Sequence, residues 1–187
     1  MRRARSIPEQ LTDAQLIAWA AEGVEGLVVP LPQAVSPIWL QQQALRYGFC
    51  VVAIQAELPC PAAHSAEFEY ALAAVAEWSV ALQPEAIWLR PKRSERVLTA
   101  ERWRRCVQAA DTALRYLNRP IWCAAQDMPE PITEDRYAEW LALLPEHVTS
   151  VVPSTWQALP RVVAVQGSTT APAADTHHAA GLWWVER

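Results

Sequence analysis

Apolar and polar positions follow one repeating order along most of the chain. Between Thr12 and Val152, five amphipathic helical stretches are each followed by a short break and a brief apolar run. Apolar runs of roughly four to eight residues between turn residues are typical of buried strands. Because alternating helices and buried strands build parallel sheets covered by helices, this order predicts an α/β fold.

The predicted helices begin at residues that favour helix starts. Thr12 opens a capping box, Ser36 stands before a proline in the first turn, and Thr99 and Thr133 precede the fourth and fifth amphipathic stretches. The apolar runs predicted to be strands cover residues 24–31, 49–55, 86–90, 121–125, 148–152, 162–166 and 182–185.

This pattern gives about seven strands and five helices, and right-handed crossovers between parallel strands curl a sheet in one direction. We therefore predict a compressed or incomplete (β/α) TIM-like barrel, with an open doubly wound sheet as the alternative. The five glycines form no G-x-G-x-x-G turn, which disfavours the doubly wound sheet. We predict a single domain over residues 1–187, with an N-terminal arm at residues 1–11 and an irregular loop at residues 167–181.

Composition limits the classes of function. The net charge of -4 argues against a nucleic acid partner. No apolar run reaches the roughly 18 residues of a membrane helix, and residues 1–8 lack the apolar core of a signal peptide, so we predict a soluble protein. No motif predicts a cofactor, and His177 and His178 have too few neighbouring ligands to predict a metal site.

Two acidic residues are candidates for catalysis. Functional side chains of a barrel lie at the carboxyl ends of its strands, where Glu57 and Asp127 are the acids that closely follow predicted strands. They follow strands that are not adjacent, and loop acids are usually solvated. Solvated loop acids are therefore the favoured interpretation, and a catalytic pair is the alternative.

Basic residues form one clear cluster. It begins with Arg90, Lys92 and Arg93 and continues through Arg96 into the fourth predicted helix. Such a cluster at the mouth of a barrel could bind an anion or an acidic partner. Because the whole chain is acidic and no aromatic residues interleave at nucleic-acid spacing, a solvated surface is the favoured interpretation.

Ten tryptophans are the strongest peculiarity of the composition. Trp183 and Trp184 are adjacent in a predicted strand, so their side chains should point to opposite faces. One face joins the core of the domain, and the other needs cover from a loop, a ligand or another chain. We predict that a partner chain covers it, with Trp183 or Trp184 as the interface anchor.

The layout of the chain resembles that of the glycoside hydrolase family 25 lysozymes. Residues 16–31 and 40–56 resemble the family's early helix-and-strand segments, and residues 156–166 resemble its late segment with a tryptophan and a glutamine before a glycine. The resemblance implies a short (β/α) barrel that cuts peptidoglycan. It also implies a D-x-E pair on the strand after the third helix and an aspartate on an initial strand. This chain carries Arg90, Lys92 and Arg93 in place of the pair, and the aspartate has no counterpart here.

The missing acids favour one of two functional hypotheses. The first is a non-catalytic structural or binding module of the kind found in bacteriophage tails and baseplates, with a virion location. Its partners are other protein chains of an assembly, and a glycan is a further candidate ligand. The alternative is a glycoside hydrolase that acts on peptidoglycan or another polysaccharide through an unrecognised carboxylate pair. Neither hypothesis invokes a cofactor or a metal.

Overall fold

In the computed structural model of the chain, the residues described are 2–60, 65–92, 98–153, 156, 162–167 and 183–186. Within them, parallel strands paired in sequence order close into a barrel. The strands are β1 Arg2–Ser6, β2 Gly26–Pro30, β3 Cys50–Leu58, β4 Ala86–Pro91, β5 Ile121–Ala124, β6 Val148–Pro153, β7 Val162–Gly167 and β8 Trp183–Glu186. The predicted TIM-like barrel is confirmed, with eight strands where the sequence predicted about seven.

The α-helices of the described residues pack on the outside of the barrel. They are α1 Asp13–Ala21, α2 Pro37–Tyr47, α3 Ala66–Leu82, α4 Ala100–Leu114 and α5 Glu134–Ala142. The side chains of Thr12, Ser36, Ser65 and Thr99 each accept a hydrogen bond from a first-turn amide. Gly48 ends α2 at φ 76°, a left-handed conformation that glycine adopts without steric cost. None of these helices is long and apolar enough to cross a bilayer.

The first strand was missed by the sequence prediction. Residues 2–6, which we placed in an N-terminal arm too basic for a strand, pair with β2 on one side and with β8 on the other. Ala4 is fully buried in the barrel interior. Arg3 and Arg5 point to the other face and bind the carboxylate of Glu186. A basic segment forms this strand because ion pairs outside the barrel neutralise its charge.

The barrel interior is a packed core rich in tryptophan. The rings of Trp88 and Trp122 have centroids 6.4 Å apart and planes tilted by 56°. Gly26 allows Val52 and Trp183 to pack closely against the backbone of β2, because a Cβ at this position would lie 2.3 Å from Val52 Cγ2 and 2.9 Å from the ring of Trp183. The remaining interior residues are Ala4, Val28, Ala53, Ala86, Ala124, Val151, Ala164 and Val185. With its middle filled, the barrel can bind a ligand only at an end.

Trp183 and Trp184 are both buried, with 2% of each residue exposed. Trp183 belongs to the interior core, whereas Trp184 packs with Val152 on the other face of the strand. A barrel strand has two covered faces, while the sequence argument assumed a single core on one face. The premise that one of these tryptophans lacks cover within the chain is therefore wrong, and it was the basis for assigning them as interface anchors.

A charged cluster closes the amino-terminal end of the interior. The guanidinium of Arg2 lies 3.7 Å from the ring centroid of Trp183 and donates to Glu85 at 3.1 Å. The indole nitrogen of Trp183 donates to the same carboxylate at 2.9 Å. Cys50 lies 3.5 Å from Arg2, and burial raises the pKa of its thiol. A ligand can therefore approach the barrel interior only from its carboxyl end.

Candidate ligand site at the mouth of the barrel

A cavity of about 530 Å³, here called the mouth cavity, opens at the carboxyl ends of the strands. Its wall combines apolar side chains with polar groups from β1, β3, β4 and α1. The lining residues are Arg5, Ser6, Ile7, Pro8, Gln15, Trp19, Pro30, Gln55, Trp88, Arg90 and Val185. Cavities of this size and composition take small molecules, and the functional groups of TIM barrels lie at this end.

Strand register places polar residues of β3 and β4 on the inner side of the barrel. Gln55 is the register partner of Trp88, and Glu57 is the partner of Arg90. Residues two apart on a strand point to the same face, and Trp88 belongs to the interior core. Gln55 and Arg90 therefore point towards the barrel axis, and Glu57 lies beside Arg90 at the rim of the mouth, where its side chain is exposed.

Arg90 is held by an ion pair and a hydrogen bond. Its Nε lies 3.0 Å from Oδ1 of Asp127, and its Nη1 donates to Oε1 of Gln55 at 3.5 Å. Asp127 ends a short 3₁₀ turn directly after β5, and 2% of its side chain is exposed, against 18% for Arg90. A buried carboxylate needs a cation close by, so this pair fixes the guanidinium. A guanidinium has further N–H donors that can reach a ligand.

A second ion-pair cluster borders the mouth cavity between β1 and β8. Glu186 accepts hydrogen bonds from Arg3 at 2.9 Å and from Arg5 at 2.7 Å. Arg5 also lies 3.0 Å from Glu22 and 5.3 Å from the ring of Trp19. Burial alone would raise the pKa of Glu186, but the hydrogen bonds from the two arginines outweigh it and hold the pKa below its ordinary value. Arg5 thus lines the cavity with its charge already compensated.

The two acids suggested by the sequence occupy different environments. Asp127 is buried beside Arg90, whereas Glu57 is exposed and lines a separate cavity of about 440 Å³. Lys92 lines that same cavity and contacts Glu67. Arg93 lies outside the described residues. The structure therefore assigns Arg90 to the mouth cavity and Lys92 to its neighbour, and it does not pair Glu57 with Asp127 as two exposed acids.

Sequence reasoning missed Gln55 and Glu186. Gln55 is only 7% exposed, and its amide follows a run of apolar residues in β3. A polar residue inside a buried strand needs a hydrogen-bond partner, and that signal could have identified it. Glu186 could not have been found in this way, because its arginine partners lie at the opposite end of the sequence.

Within the described ranges, no three His, Cys, Asp or Glu side chains come together as a metal site requires. His177 and His178 lie outside those ranges.

No protein-family model matches the chain, and no curated protein matches it. Solved structures do match its fold. An AP endonuclease of family 2 from Brucella melitensis has a TM-score of 0.72 at 11% identity, covering 99% of this chain and 91% of that chain. A sugar phosphate isomerase/epimerase from Parabacteroides distasonis has a TM-score of 0.67 at 11% identity, covering 99% and 86%. A xylose isomerase domain containing protein from Salmonella typhimurium has a TM-score of 0.70 at 10% identity, covering 99% and 88%.

These structures correct the interpretation drawn from the sequence. The similar barrels are xylose isomerase-like rather than lysozyme-like, so the resemblance to glycoside hydrolase family 25 is wrong. The hypothesis of a phage structural module, with its alternative of a polysaccharide hydrolase, depended on that resemblance and is wrong with it. At 10–11% identity the likeness shows the fold alone. The chain has a TIM-barrel fold similar to that of these solved structures.

Proposed function

We propose that the mouth cavity binds a small, uncharged, polyhydroxylated molecule of sugar size and exchanges protons with it. The observation that carries this proposal is the cavity of about 530 Å³, with Gln55 and Arg90 in its wall above a filled interior. The mouth is the usual ligand site of a TIM barrel. The similar folds include a sugar phosphate isomerase/epimerase and a xylose isomerase domain protein, which supports a sugar-like ligand.

The charge of the cavity favours an uncharged ligand over a phosphorylated one. Arg90 lies 3.0 Å from the carboxylate of Asp127. Arg5 lies 2.7 Å from the carboxylate of Glu186. A guanidinium that already has a carboxylate partner attracts an added anion weakly, while its other N–H groups still donate to hydroxyl oxygens. The amide of Gln55 adds a donor and an acceptor, the combination that hydroxyl groups match.

The apolar part of the wall suits the carbon skeleton of such a ligand. Trp19 and Trp88 line the cavity together with Ile7. Aromatic side chains offer large apolar surfaces next to polar groups, so they can contact the C–H face of a sugar ring while neighbouring donors bind its hydroxyls.

Glu57 and Arg90 supply complementary groups for proton transfer. They are register partners on adjacent strands. Arg90 lines the mouth cavity and is fixed by Asp127, whereas Glu57 is exposed in the neighbouring cavity, so the proposed ligand extends across the rim and contacts both. In the proposed reaction, the Glu57 carboxylate takes a proton from a carbon next to a carbonyl, and the C–H electron pair moves onto the carbonyl oxygen. Arg90 stabilises this oxyanion, and Glu57 returns the proton to the former carbonyl carbon. The proton of the hydroxyl on the neighbouring carbon moves to the oxyanion, and a carbonyl forms at that neighbouring carbon. The product is an isomer of the substrate.

Calorimetric titration with neutral aldoses, ketoses and polyols, and with their phosphates, tests the binding site. We expect saturable binding of a neutral sugar and an affinity about ten-fold lower in Gln55→Leu, because this substitution keeps the volume and removes the amide hydrogen bonds. Gln42→Leu, at an exposed position of α2, is the matched control and should leave the affinity unchanged. Absence of binding, or equal effects of both substitutions, would rule out a ligand site at the mouth.

Deuterium incorporation from D₂O into the bound sugar, followed by proton NMR, tests the chemistry without knowledge of the product. Glu57→Gln should retain sugar binding and abolish incorporation, because the amide cannot accept the proton. Glu69→Gln, at an exposed position of α3, should incorporate deuterium at the wild-type rate. Incorporation that persists in Glu57→Gln would show that this carboxylate is not the base.

A further inference from the structure

We propose that a cavity on the opposite side of the barrel binds a compact oxyanion such as a phosphate or sulfate group. This amino-end cavity has a volume of about 490 Å³ and is formed by the end of α4 and the segments that precede β5 and β6. It is separate from the mouth cavity, and none of its lining residues has a place in the proton transfer proposed above. Anion binding at the amino-end cavity therefore does not depend on proton transfer at the mouth cavity.

Basic residues outnumber acidic ones in the amino-end cavity. Arg115 follows α4, Arg119 precedes β5 and His147 precedes β6. Asp111 is the one carboxylate among the described lining residues. Arg119 donates to the neutral amide oxygen of Gln83 at 2.7 Å, a contact that orients the guanidinium without cancelling its charge. Arg119 thus differs from the two arginines of the mouth cavity, which both have carboxylate partners, and its charge favours an anionic ligand.

Asp111 holds the side chains of Arg115 and His147 in position. Its side chain is 4% exposed and accepts a hydrogen bond from Arg115 at 3.2 Å. It also contacts Nε2 of His147, and because a carboxylate only accepts hydrogen bonds, Nε2 carries the proton. The buried carboxylate thus organises groups from two segments around one cavity before any ligand arrives, which reduces the ordering that binding requires.

The size of the cavity and the charge of the whole chain favour a small ion over a polymer. A volume of about 490 Å³ admits a small molecule or ion, and the net charge of -4 opposes the approach of long polyanions. The guanidinium forks of Arg115 and Arg119 present paired N–H donors, which match the oxygen spacing of phosphate and sulfate. We therefore assign the site to a tetrahedral oxyanion.

Sulfate is the appropriate probe, because its charge is constant around neutral pH. Calorimetric titration of the intact chain with sodium sulfate, at constant ionic strength, should give one saturable site. Arg119→Gln should weaken sulfate binding about five-fold or more, and Arg119→Lys, which keeps the charge and loses the fork, should weaken it less. Arg105→Gln removes an exposed arginine of α4 that does not line this cavity, and it should bind sulfate like the wild type.

Arg115→Gln provides an independent check, because 68% of the Arg115 side chain is exposed and its replacement should leave the fold intact. It should also weaken sulfate binding, with an unchanged circular dichroism spectrum. Absence of saturable binding up to about 50 mM sulfate would overturn the proposal. Equal weakening in Arg105→Gln would do the same, because it would show that sulfate responds only to the overall charge.

Discussion

Neighbouring strands of the barrel are joined by side-chain contacts, here called a seam, and two seams differ in kind. Between β4 and β5, Trp88 packs against Trp122 in the interior, with ring centroids 6.4 Å apart. Between β8 and β1, Glu186 binds Arg3 and Arg5 on the outer face. The first seam depends on buried apolar area, which salt and pH change little, whereas the second depends on charges. One closed sheet therefore joins its strands by two mechanisms that respond to different conditions.

The largest effect should come from the apolar seam. Trp88→Ala should lower the free energy of unfolding by about 4 kcal/mol, because it removes a large buried side chain and leaves a cavity in the barrel interior. Urea unfolding at low and high salt measures this loss, which should be the same at both. Tyr70→Ala, at a residue 78% exposed, is the control and should change the free energy little. A large salt dependence of the Trp88→Ala loss would contradict the apolar assignment.

The charged seam should be weaker. Glu186→Gln should lower the free energy of unfolding by about 2 kcal/mol, because two guanidiniums lose the carboxylate that neutralises them. A double-mutant cycle with Arg5→Gln should show a coupling energy of about 1 kcal/mol that decreases as salt is added. Independent, additive losses would show that the β8–β1 seam does not depend on this ion pair.

Acid should weaken the charged seam selectively. The pKa of Glu186 in the folded chain is below its ordinary value, and the unfolded value is about 4.3. The stabilisation by Glu186 is thus fully present above the unfolded value and is lost as pH falls through the folded value. The difference in unfolding free energy between wild type and Glu186→Gln should therefore shrink between about pH 6 and about pH 3, while the Trp88→Ala difference stays nearly constant. The same pH dependence of the stability loss in Glu186→Gln and in Trp88→Ala would contradict the distinction between the two seams.

The smallest effect should come from the amino-terminal end of the β8–β1 seam. Arg2→Ala should lower the free energy of unfolding by less than about 1 kcal/mol, because the stacking of its guanidinium on Trp183 is partly open to solvent. Arg46→Ala removes an exposed guanidinium 5.2 Å from the ring of Tyr47 and should have no measurable effect. Thermal unfolding of Arg2→Ala and Arg46→Ala under the same conditions measures the two stability losses. A loss for Arg2→Ala as large as that for Glu186→Gln would place the main support of the seam at this end.

The sequence predicted the elements whose signal is local and missed the element whose signal is distant. Helix caps such as Thr12 and apolar runs such as residues 86–90 lie within a few neighbouring positions, so pattern reading located them. Residues 2–6 contain three arginines and become a strand only because Glu186 neutralises two of them. No local pattern contains that information.

The same limit applies to the candidate site. Arg90 was singled out from the sequence as part of a basic cluster, but its contact with Asp127 depends on β4 and β5 lying side by side. Trp183 and Trp184 were misread for a different reason. Alternation along a strand was recognised correctly, but a closed barrel buries both faces of a strand, so opposite orientations did not require a partner chain.

The tilted tryptophan pair in the interior also has an optical consequence. Indoles that lie close together and are neither parallel nor perpendicular couple their electronic transitions, which produces paired circular dichroism bands of opposite sign. Trp88 and Trp122 meet this condition, with centroids 6.4 Å apart and planes tilted by 56°. Their proximity depends on the pairing of β4 with β5, so the exciton signal should appear only when these strands are assembled. The chain thus contains an intrinsic, label-free reporter of strand assembly.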